Sequence, residues 1–390
     1  MEHFPTISIV TPSFNQGEFI EATIQSVISQ EGNFFIDYII MDGGSTDNTV
    51  EIIKKYEQLL NNKDWPVKCK GIKLRWLSEE DKGQTHAINK GLKIAEGEIV
   101  SYINSDDMYY KDAITIVTEY FSENLKDDFV YGDGDVVDEN GNLLWEWLSR
   151  PYNFSLMKSY HYLWNDFTNY IMQQATFWRA DVLNKIGLLD ESFHYAMDVE
   201  YWIRAGAAGL KLKHIPVKLG EFRMIKGTKS LSNPTVFWPD MLEIFRKYNG
   251  HHRMAPFFSY FFYNVAQNCG YDMHKAWQER ANIFTRWNKL SNEEKKILEK
   301  KAQQGFERAC LISMNKAYNE DNKHTALIIF HHILKRNFLL VLHPLTLIFI
   351  TKYILGKTIS NKLNKLKEMC ITFYRQRKYQ YRYLQKDKGL

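Results

Sequence analysis

Acidic and polar residues gather at four places in the first half of the chain, each at the end of a short apolar run. They are Thr11-Pro12-Ser13-Phe14-Asn15, Asp42-Gly43-Gly44-Ser45, Ser78-Glu79-Glu80-Asp81 and Asn104-Ser105-Asp106-Asp107. Carboxylates collected in this way suit a divalent metal with a phosphorylated ligand, because Mg²⁺ or Mn²⁺ takes oxygen donors and binds through one or two carboxylates plus substrate phosphates. The apolar run before Asp106-Asp107 stops at Ile103, so these two side chains escape the alternation of a strand and can share a ligand. Acidic pairs also cap turns and helices, which is the other reading of this one. Asp42 precedes two glycines that permit close backbone approach. Its carboxylate could accept from a base N–H or a ribose hydroxyl, whereas Ser45 to Asn48 read as a strand-to-helix turn capped by Ser45 or Asp47. Asp81, in Asp81-Lys82-Gly83, is either a ligand-facing carboxylate beside a flexible turn or a solvated surface charge. Asp198 follows Phe193-His194-Tyr195-Ala196-Met197 and opens a helical pattern. It reads as an N-cap, or as a general base whose pKa is raised by partial desolvation beside Tyr195, Met197 and Trp202.

Such clusters form one site only if the strands before them run parallel and end on one side. Ile7 to Val10, Tyr38 to Met41, Ile72 to Leu77 and Glu98 to Ile103 are short β-rich runs of the kind buried in a parallel sheet. Helical patterns lie between them at Glu18 to Ser29, Asn48 to Leu60 and Thr85 to Ala95. The alternation predicts an α/β fold, Rossmann-like, with a mostly parallel sheet flanked by helices and a ligand crevice outside the carboxyl ends of the strands. Further along, Phe129 to Tyr131 and Met172 to Trp178 read as strands, and Asp135 to Trp147 as a hairpin around Asn140-Gly141. Helices are expected from Asp181 and over Asp198 to Ala208, and Lys211 to Ile215 with Leu219 to Met224 close the sheet. Beyond Ser232 only helical patterns remain, which divides the chain into residues 1–232 and an all-helical region over 233–390.

Composition bounds the rest. With 390 residues, 45% apolar and 25% charged, the chain has the makeup of a globular protein of two domains, and its 15% aromatic content is high. Cys69, Cys269, Cys310 and Cys370 form no CxxC pair, so no zinc knuckle or disulfide framework is expected and a reducing cytoplasm fits. The first residues lead into a strand without the pattern of a secretory signal. Gly132-Asp133-Gly134 lacks the third glycine of a dinucleotide fingerprint, and there is no P-loop, HExxH or GxSxG.

Taken together, these blocks resemble glycosyltransferase family 2. The likeness is carried in order by ISIVTPSFNQGEFIEATIQSVISQ, IIMDGGSTDNT, SEEDKGQTHAINKGLKIAEGEI, INSDDMYY and QQATFWRADVLNKIGLLDESFHYAMDVEYWIRAG. It implies a GT-A fold and an inverting transfer of a sugar from a nucleotide-sugar donor, a UDP-sugar first among them, to a hydroxyl of a glycan or lipid-linked acceptor. It further implies that Asp42 and Asp81 hold the nucleoside and that Pro12 and Phe14 line its pocket. Asp106 would meet the ribose or the metal, and Asp107 would coordinate the Mn²⁺ or Mg²⁺ that bridges the diphosphate. Asp198 matches the catalytic base, with Gln174 and Trp178 near the acceptor side. Gly43 stands where the family often has a second acidic residue, Ile225 where many relatives have a His, and no QxxRW occurs. A catalytically silent sugar-nucleotide-binding or scaffold protein of the same fold is the alternative, and a nucleotidyltransferase is disfavoured by the missing Gly-rich loop.

The C-terminal stretch is read separately. Phe338 to Leu355 is apolar but only at the lower edge of a spanning length and interrupted by Pro344, so it reads as an interfacial segment or a buried core helix. From Lys352 to Leu390 eleven Lys or Arg face only Glu368 and Asp387, a surplus of nine that leaves the remainder of this +4 chain net acidic. Phe373, Tyr374, Tyr379, Tyr381 and Tyr383 interleave with those cations. Basic and aromatic residues together suit an anionic membrane surface, predicting a cytoplasmic enzyme docked peripherally on the inner face of the plasma membrane, with no nucleic acid as partner.

Overall fold

Continuous apolar runs make strands that are covered on both faces, and the computed structural model, which describes residues 3–158, 171–225, 237–284 and 290–355, shows where they lie. Strands β1 (Thr6–Ser13) and β2 (Phe35–Asp42) are buried along almost their whole length. Together with β3 (Gly71–Ser78) and β4 (Ile99–Tyr102) they form a parallel block in the spatial order β3-β2-β1-β4. Helices α1 (Ile20–Ile28), α2 (Thr49–Asn61) and α3 (Gln84–Lys93) are the crossovers. On α1 the inward face is Ile20, Thr23, Ile24, Val27 and Ile28; burying each of its aliphatic side chains contributes about 1.5–3 kcal/mol. These residues share one core with Ile7, Ile9, Ile36, Tyr38, Ile40 and Ile53.

Beyond β4 the sheet becomes mixed, so it is less parallel than the sequence predicts. Strand β5 (Met108–Tyr109) directly follows the acidic pair, and α4 (Ala113–Glu123) leads to β6 (Phe129–Val137). The expected hairpin is present, β6 pairing antiparallel with β7 (Leu143–Trp147). After α5 (Phe154–Met157), the run at Met172 forms a 3₁₀ turn, Gln173–Ala175, before β8 (Thr176–Arg179), which pairs antiparallel with both β4 and β6. Helices α6 (Val182–Ile186) and α7 (Met197–Ala207) precede β9 (Leu212–Arg223). The two closing segments are thus one strand, with register irregularities against β6. Its antiparallel pairing with β5 sets Met108 opposite Glu221.

Two compact units divide the chain, Met1–Asn249 and Gly250–Leu390. The boundary falls later than the expected 232, because α8 (Trp238–Asn249) belongs to the first unit. Its buried Asp240 accepts from the backbone N–H groups of His194 (2.9 Å) and Tyr195 (2.8 Å). The second unit is helical throughout its described residues: α9 (Ala255–Asn268), α10 (Met273–Gln278), α11 (Arg280–Ile283), α12 (Asn292–Asn319), α13 (Lys323–Arg336) and α14 (Pro344–Leu355), with short 3₁₀ turns. A reciprocal capping box between Ser291 and Glu294 starts α12. The apolar segment from Phe338 becomes a 3₁₀ turn followed by α14, which buries Thr346 and Phe349 while Ile354 stays exposed. Among the described residues no helix is long and apolar enough to cross a membrane. The basic, aromatic segment from Lys357 on lies outside the described residues.

Candidate active site

The loops after β1 and β2 are laced together by their own short polar side chains. Asn15, held at a φ of 50°, donates its backbone N–H to Ser45 Oγ (2.7 Å) and accepts from Thr46 N (2.8 Å) through its side chain. Asp47 accepts from Gly17 N (2.9 Å) and from Thr49 N (3.0 Å) just ahead of α2, whose N-cap residue is Asn48 rather than Ser45 or Asp47. Ser45 is engaged elsewhere, with Asp42.

Asp42 is buried and turned to its own loop. Its Oδ2 accepts from Gly44 N (3.1 Å), Ser45 N (2.9 Å) and Ser78 Oγ (2.6 Å), and its Oδ1 from Ser45 Oγ (2.5 Å). The carboxylate expected to meet the nucleoside is thus engaged by its own turn at the end of β2. Gly44 adopts a φ of 82°, and a Cβ on Gly43 would lie 2.9 Å from Asp81 Oδ2 and 3.3 Å from Phe14 Cδ2. Glycine at 43 thus leaves room for Asp81 and Phe14 to stand side by side, where an acidic side chain would drive them apart.

A cleft of about 590 Å³ opens at this end of the parallel strands, the place expected for a ligand in an open α/β sheet. Its lining includes Pro12, Phe14, Glu80, Asp81, Asn104 and Asp106. Phe14 projects with 59% of its surface exposed. Asp81 is oriented by accepting from Gly83 N (2.6 Å).

The two adjacent aspartates part company here. Asp106 lines the cleft, whereas Asp107 is buried beneath it. Three donors hold Asp107: Gln174 Nε2 (2.8 Å), Asn104 Nδ2 (3.0 Å) and the backbone N–H of Arg223 (3.0 Å). The last follows from the β5–β9 pairing. Burial raises the pKa of both carboxyls; the charge of Asp106 pushes Asp107 further up, and that of Arg223 pulls Asp106 back.

Asp198 opens α7 and is not among the residues lining the cleft. The buried Tyr102 has its phenol driven well above its usual pKa by burial and then by the negative charges of Asp198 and Asp107, which both lie near it. The Asp198 carboxyl is crowded by protein, which lifts its pKa to about 6 against a hydrogen bond from Val199 N (2.7 Å). The loop before it hangs on α3. Thr85 Oγ1 donates to Phe193 O (3.0 Å), and Asn89 Nδ2 donates to Leu189 O (2.9 Å). Because α3 also supplies Gln84 and Ala87 to the cleft wall, one helix positions both. On α7 itself, Glu200 is fully buried and pairs with Arg204 (2.7 Å) and Lys247 (3.0 Å).

Two residues expected on the acceptor side are placed elsewhere. Gln174 holds Asp107 from within. Trp178 is 2% exposed and packs against Phe129, Tyr201 and Tyr102, so an acceptor cannot reach it without unpacking the core.

Residues 8–183 match the family model Glycosyl transferase family 2. This chain carries a family 2 glycosyltransferase domain. An uncharacterized glycosyltransferase of Mycobacterium tuberculosis is 27% identical over 296 residues, spanning 74% of this chain and 100% of the relative. TuaG of Bacillus subtilis, a glycosyltransferase named for teichuronic acid biosynthesis, is 34% identical over 119 residues, 30% of this chain and 43% of TuaG. Among solved structures, S. aureus TarS 1-349 in complex with UDP-GlcNAc aligns with a TM-score of 0.48 and 18% identity, over 90% of this chain and 92% of that one.

In this glycosyltransferase the donor set for a divalent cation is small. No three His, Cys, Asp or Glu side chains converge on a metal position among the described residues. Asp106 nevertheless presents a carboxylate to a cleft large enough for a diphosphate, and one or two carboxylates plus phosphates and water complete the shell of Mg²⁺ or Mn²⁺. The residues fit such a cation, for which Asp106 would be the cleft-facing ligand with Asp107 behind it. One charged group escaped the sequence reading. Arg223, at the end of β9, is 8% exposed, and its signal was only a basic residue at the close of the last strand.

Proposed function

We propose that the glycosyltransferase moves a sugar, with inversion, from a nucleotide-diphosphate sugar to a hydroxyl of a glycan or lipid-linked acceptor in bacterial surface polysaccharide synthesis. The observation that carries this reading is the cleft at the carboxyl ends of β1 to β4, walled by Asp81 and Asp106. Phe14 and Pro12 offer the nucleoside a partly exposed apolar wall, and Asp81 offers it an oriented acceptor. A uridine donor is the first choice for the tests below.

Inversion needs one base. Asp198 takes the proton from the acceptor hydroxyl as its oxygen bonds to the anomeric carbon, and the bond from that carbon to the diphosphate oxygen breaks with its electron pair leaving on the diphosphate. A pKa near 6 keeps the carboxylate ionised at neutral pH yet more basic than an ordinary aspartate. Bound Mn²⁺ or Mg²⁺ would supply Lewis-acid stabilisation of the departing diphosphate. Asp106 would hold that cation from the cleft wall, and Asp107, clamped by Gln174, Asn104 and Arg223 N, would support it from below.

Thermal stabilisation by a panel of nucleotide sugars with and without Mn²⁺ identifies the donor, because a ligand of the native state raises its stability. Transfer and donor-hydrolysis assays then separate the enzyme from a silent sugar-nucleotide-binding scaffold. Donor binding without turnover in any acceptor mixture would favour the scaffold.

Docking on the cytoplasmic face of an anionic membrane is part of the same proposal. Phe338, Leu339 and Leu342 are more than 70% exposed in the second unit, ahead of the basic, aromatic segment in the chain. Interfacial apolar side chains and Lys/Arg clusters reinforce each other on such surfaces. Removing residues 336–390 should abolish binding to vesicles containing an anionic phospholipid, and unchanged binding would refute the docking.

A further inference from the structure

Helix α7 carries Asp198 in its first turn, yet Ala196 stands at its N-cap and offers no side-chain acceptor. The placement of Asp198 is therefore set by the loop that leads into the helix. From one side α3 holds this loop: Thr85 Oγ1 donates to Phe193 O (3.0 Å), and the Asn89 side chain pairs with both the carbonyl (2.9 Å) and the N–H (3.1 Å) of Leu189. From the other side α8 holds it through Asp240. This carboxylate is fully buried, and its Oδ2 accepts from His194 N (2.9 Å) and Tyr195 N (2.8 Å). A carboxylate inside a protein is strongly disfavoured unless donors answer it. Two consecutive peptide groups of the loop are such donors here, and they end three residues before Asp198.

Helix α8 is in turn fastened to α7. Lys247 Nζ and Tyr248 Oη each donate to Glu200 Oε1 (3.0 Å), two residues past Asp198. Both helices lie beyond the residues that match the family model. We infer that Asp240 is a positioning residue for sugar transfer: by holding the peptide groups of His194 and Tyr195 it keeps the Asp198 carboxylate where it can take the acceptor's proton. Positioning of this kind is where a remote residue acts on rate, because a base displaced by about 1 Å loses about a hundred-fold. The exposure of the two loop residues says that the role is local. His194 and Tyr195 are exposed, so their peptide groups can turn to water once Asp240 is removed, while the buried Phe193, Ala196 and Met197 keep the loop in the fold. Loss of Asp240 loosens the loop and leaves the sheet intact.

Asp240 acts in this way only if Asp198 is the base of the proposed transfer, so Asp198→Asn is measured alongside. In the full-length protein with Mn²⁺, turnover is read as uridine diphosphate released from UDP-glucose, UDP-galactose and UDP-N-acetylglucosamine, and donor affinity by calorimetry. Asp240→Ala should lower turnover about ten- to a hundred-fold with donor affinity within a factor of about two, and should speed hydrogen exchange about tenfold over residues 193–199. Asp240→Asn keeps one oxygen that can accept both N–H groups and should restore turnover to within about three-fold of the parent protein. Asp37→Ala, at the opposite end of the strands, controls for lost stability and should leave turnover per folded molecule unchanged. Parental turnover or parental exchange in Asp240→Ala would overturn the inference. Equal losses of turnover and donor affinity, an Asn variant as impaired as the Ala variant, or the unfolding of both would overturn it as well, since each puts Asp240 in the scaffold. If instead Asp198→Asn keeps parental turnover, or the parent protein turns over none of the donors, the functional reading fails and takes this inference with it.

Discussion

Near the amino ends of the parallel strands lies an aspartate–arginine cluster that is closed, and at their carboxyl ends lies one that is open. Asp37 is buried and accepts from Ser8 Oγ (2.6 Å), from Arg75 Nε (3.0 Å) and Nη2 (2.5 Å), and from the backbone N–H of Glu96 (3.1 Å). At the other end Arg223 Nε makes no hydrogen bond among the described residues, Asp106 opens on a cleft, and Asp198 is held against its own ionisation. Both clusters use the same side chains in one sheet. The difference is that the first satisfies itself and holds strands together, while the second opens on a cleft. Perturbed carboxyls beside a cleft mark the candidate place of function.

Mutations at the two ends should therefore separate binding and turnover from stability. The largest effect is expected for Asp198→Asn, which should lower turnover by about a hundred- to ten-thousand-fold in a transfer assay while donor affinity stays within a factor of about two. Retained turnover would remove Asp198 from the role of base. Next, Asp37→Ala should destabilise the fold by about 2–4 kcal/mol in urea titration, because Arg75 is then left partly buried without its partner; the folded fraction should bind donor as before. Asp106→Asn should do the reverse, with Mn²⁺-dependent donor affinity down about ten- to a hundred-fold and stability unchanged or higher. Equal losses of stability at positions 37 and 106 would erase the contrast between the two ends.

The smallest effect carries a sign. The native pKa of Asp198, about 6, lies above the ordinary aspartate value near 3.9, so between these values the native state binds more protons than the unfolded chain. Its contribution to stability is therefore favourable below about pH 4 and is lost as pH rises through 6, a change of about 1–3 kcal/mol. Activity moves the other way, since the base works only when ionised: kcat/KM should rise through about pH 6 and then level. Melting temperatures of the parent protein and Asp198→Asn across pH 4.5 to 7.5 should diverge as pH rises, the variant becoming relatively more stable. Parallel curves would show that Asp198 titrates normally.

Much of the first unit was legible because its signals are local. Apolar runs at β1 and β2 stop where polar residues begin, and the spacing of Ile20, Ile24, Val27 and Ile28 places one face of α1 against them. The carboxylate ends could be named for the same reason. What each carboxylate does could not. Asp42 and Asp107 look in the sequence like Asp81 and Asp106, yet the first two are consumed by internal donors and the others face the cleft. Trp178 and Gln174 sit in a polar, aromatic stretch that could as well meet an acceptor as the core. Mixed pairing beyond β4 was hidden too, because β8 and β9 meet partners distant in the chain.

The amino-acid order alone determined that this chain makes an α/β unit with acidic turns after parallel strands, followed by helices, since periodicity, turn residues and capping act over a few neighbours. Only the tertiary structure decided which carboxylates open on the cleft. Whether Asp107 is held beneath Asp106 depends on where β9 ends relative to the pair, and whether Asp198 is desolvated depends on how α3 and α7 close around it. Electrostatic balance is a property of distance and burial, and those are set by contacts between residues far apart in sequence.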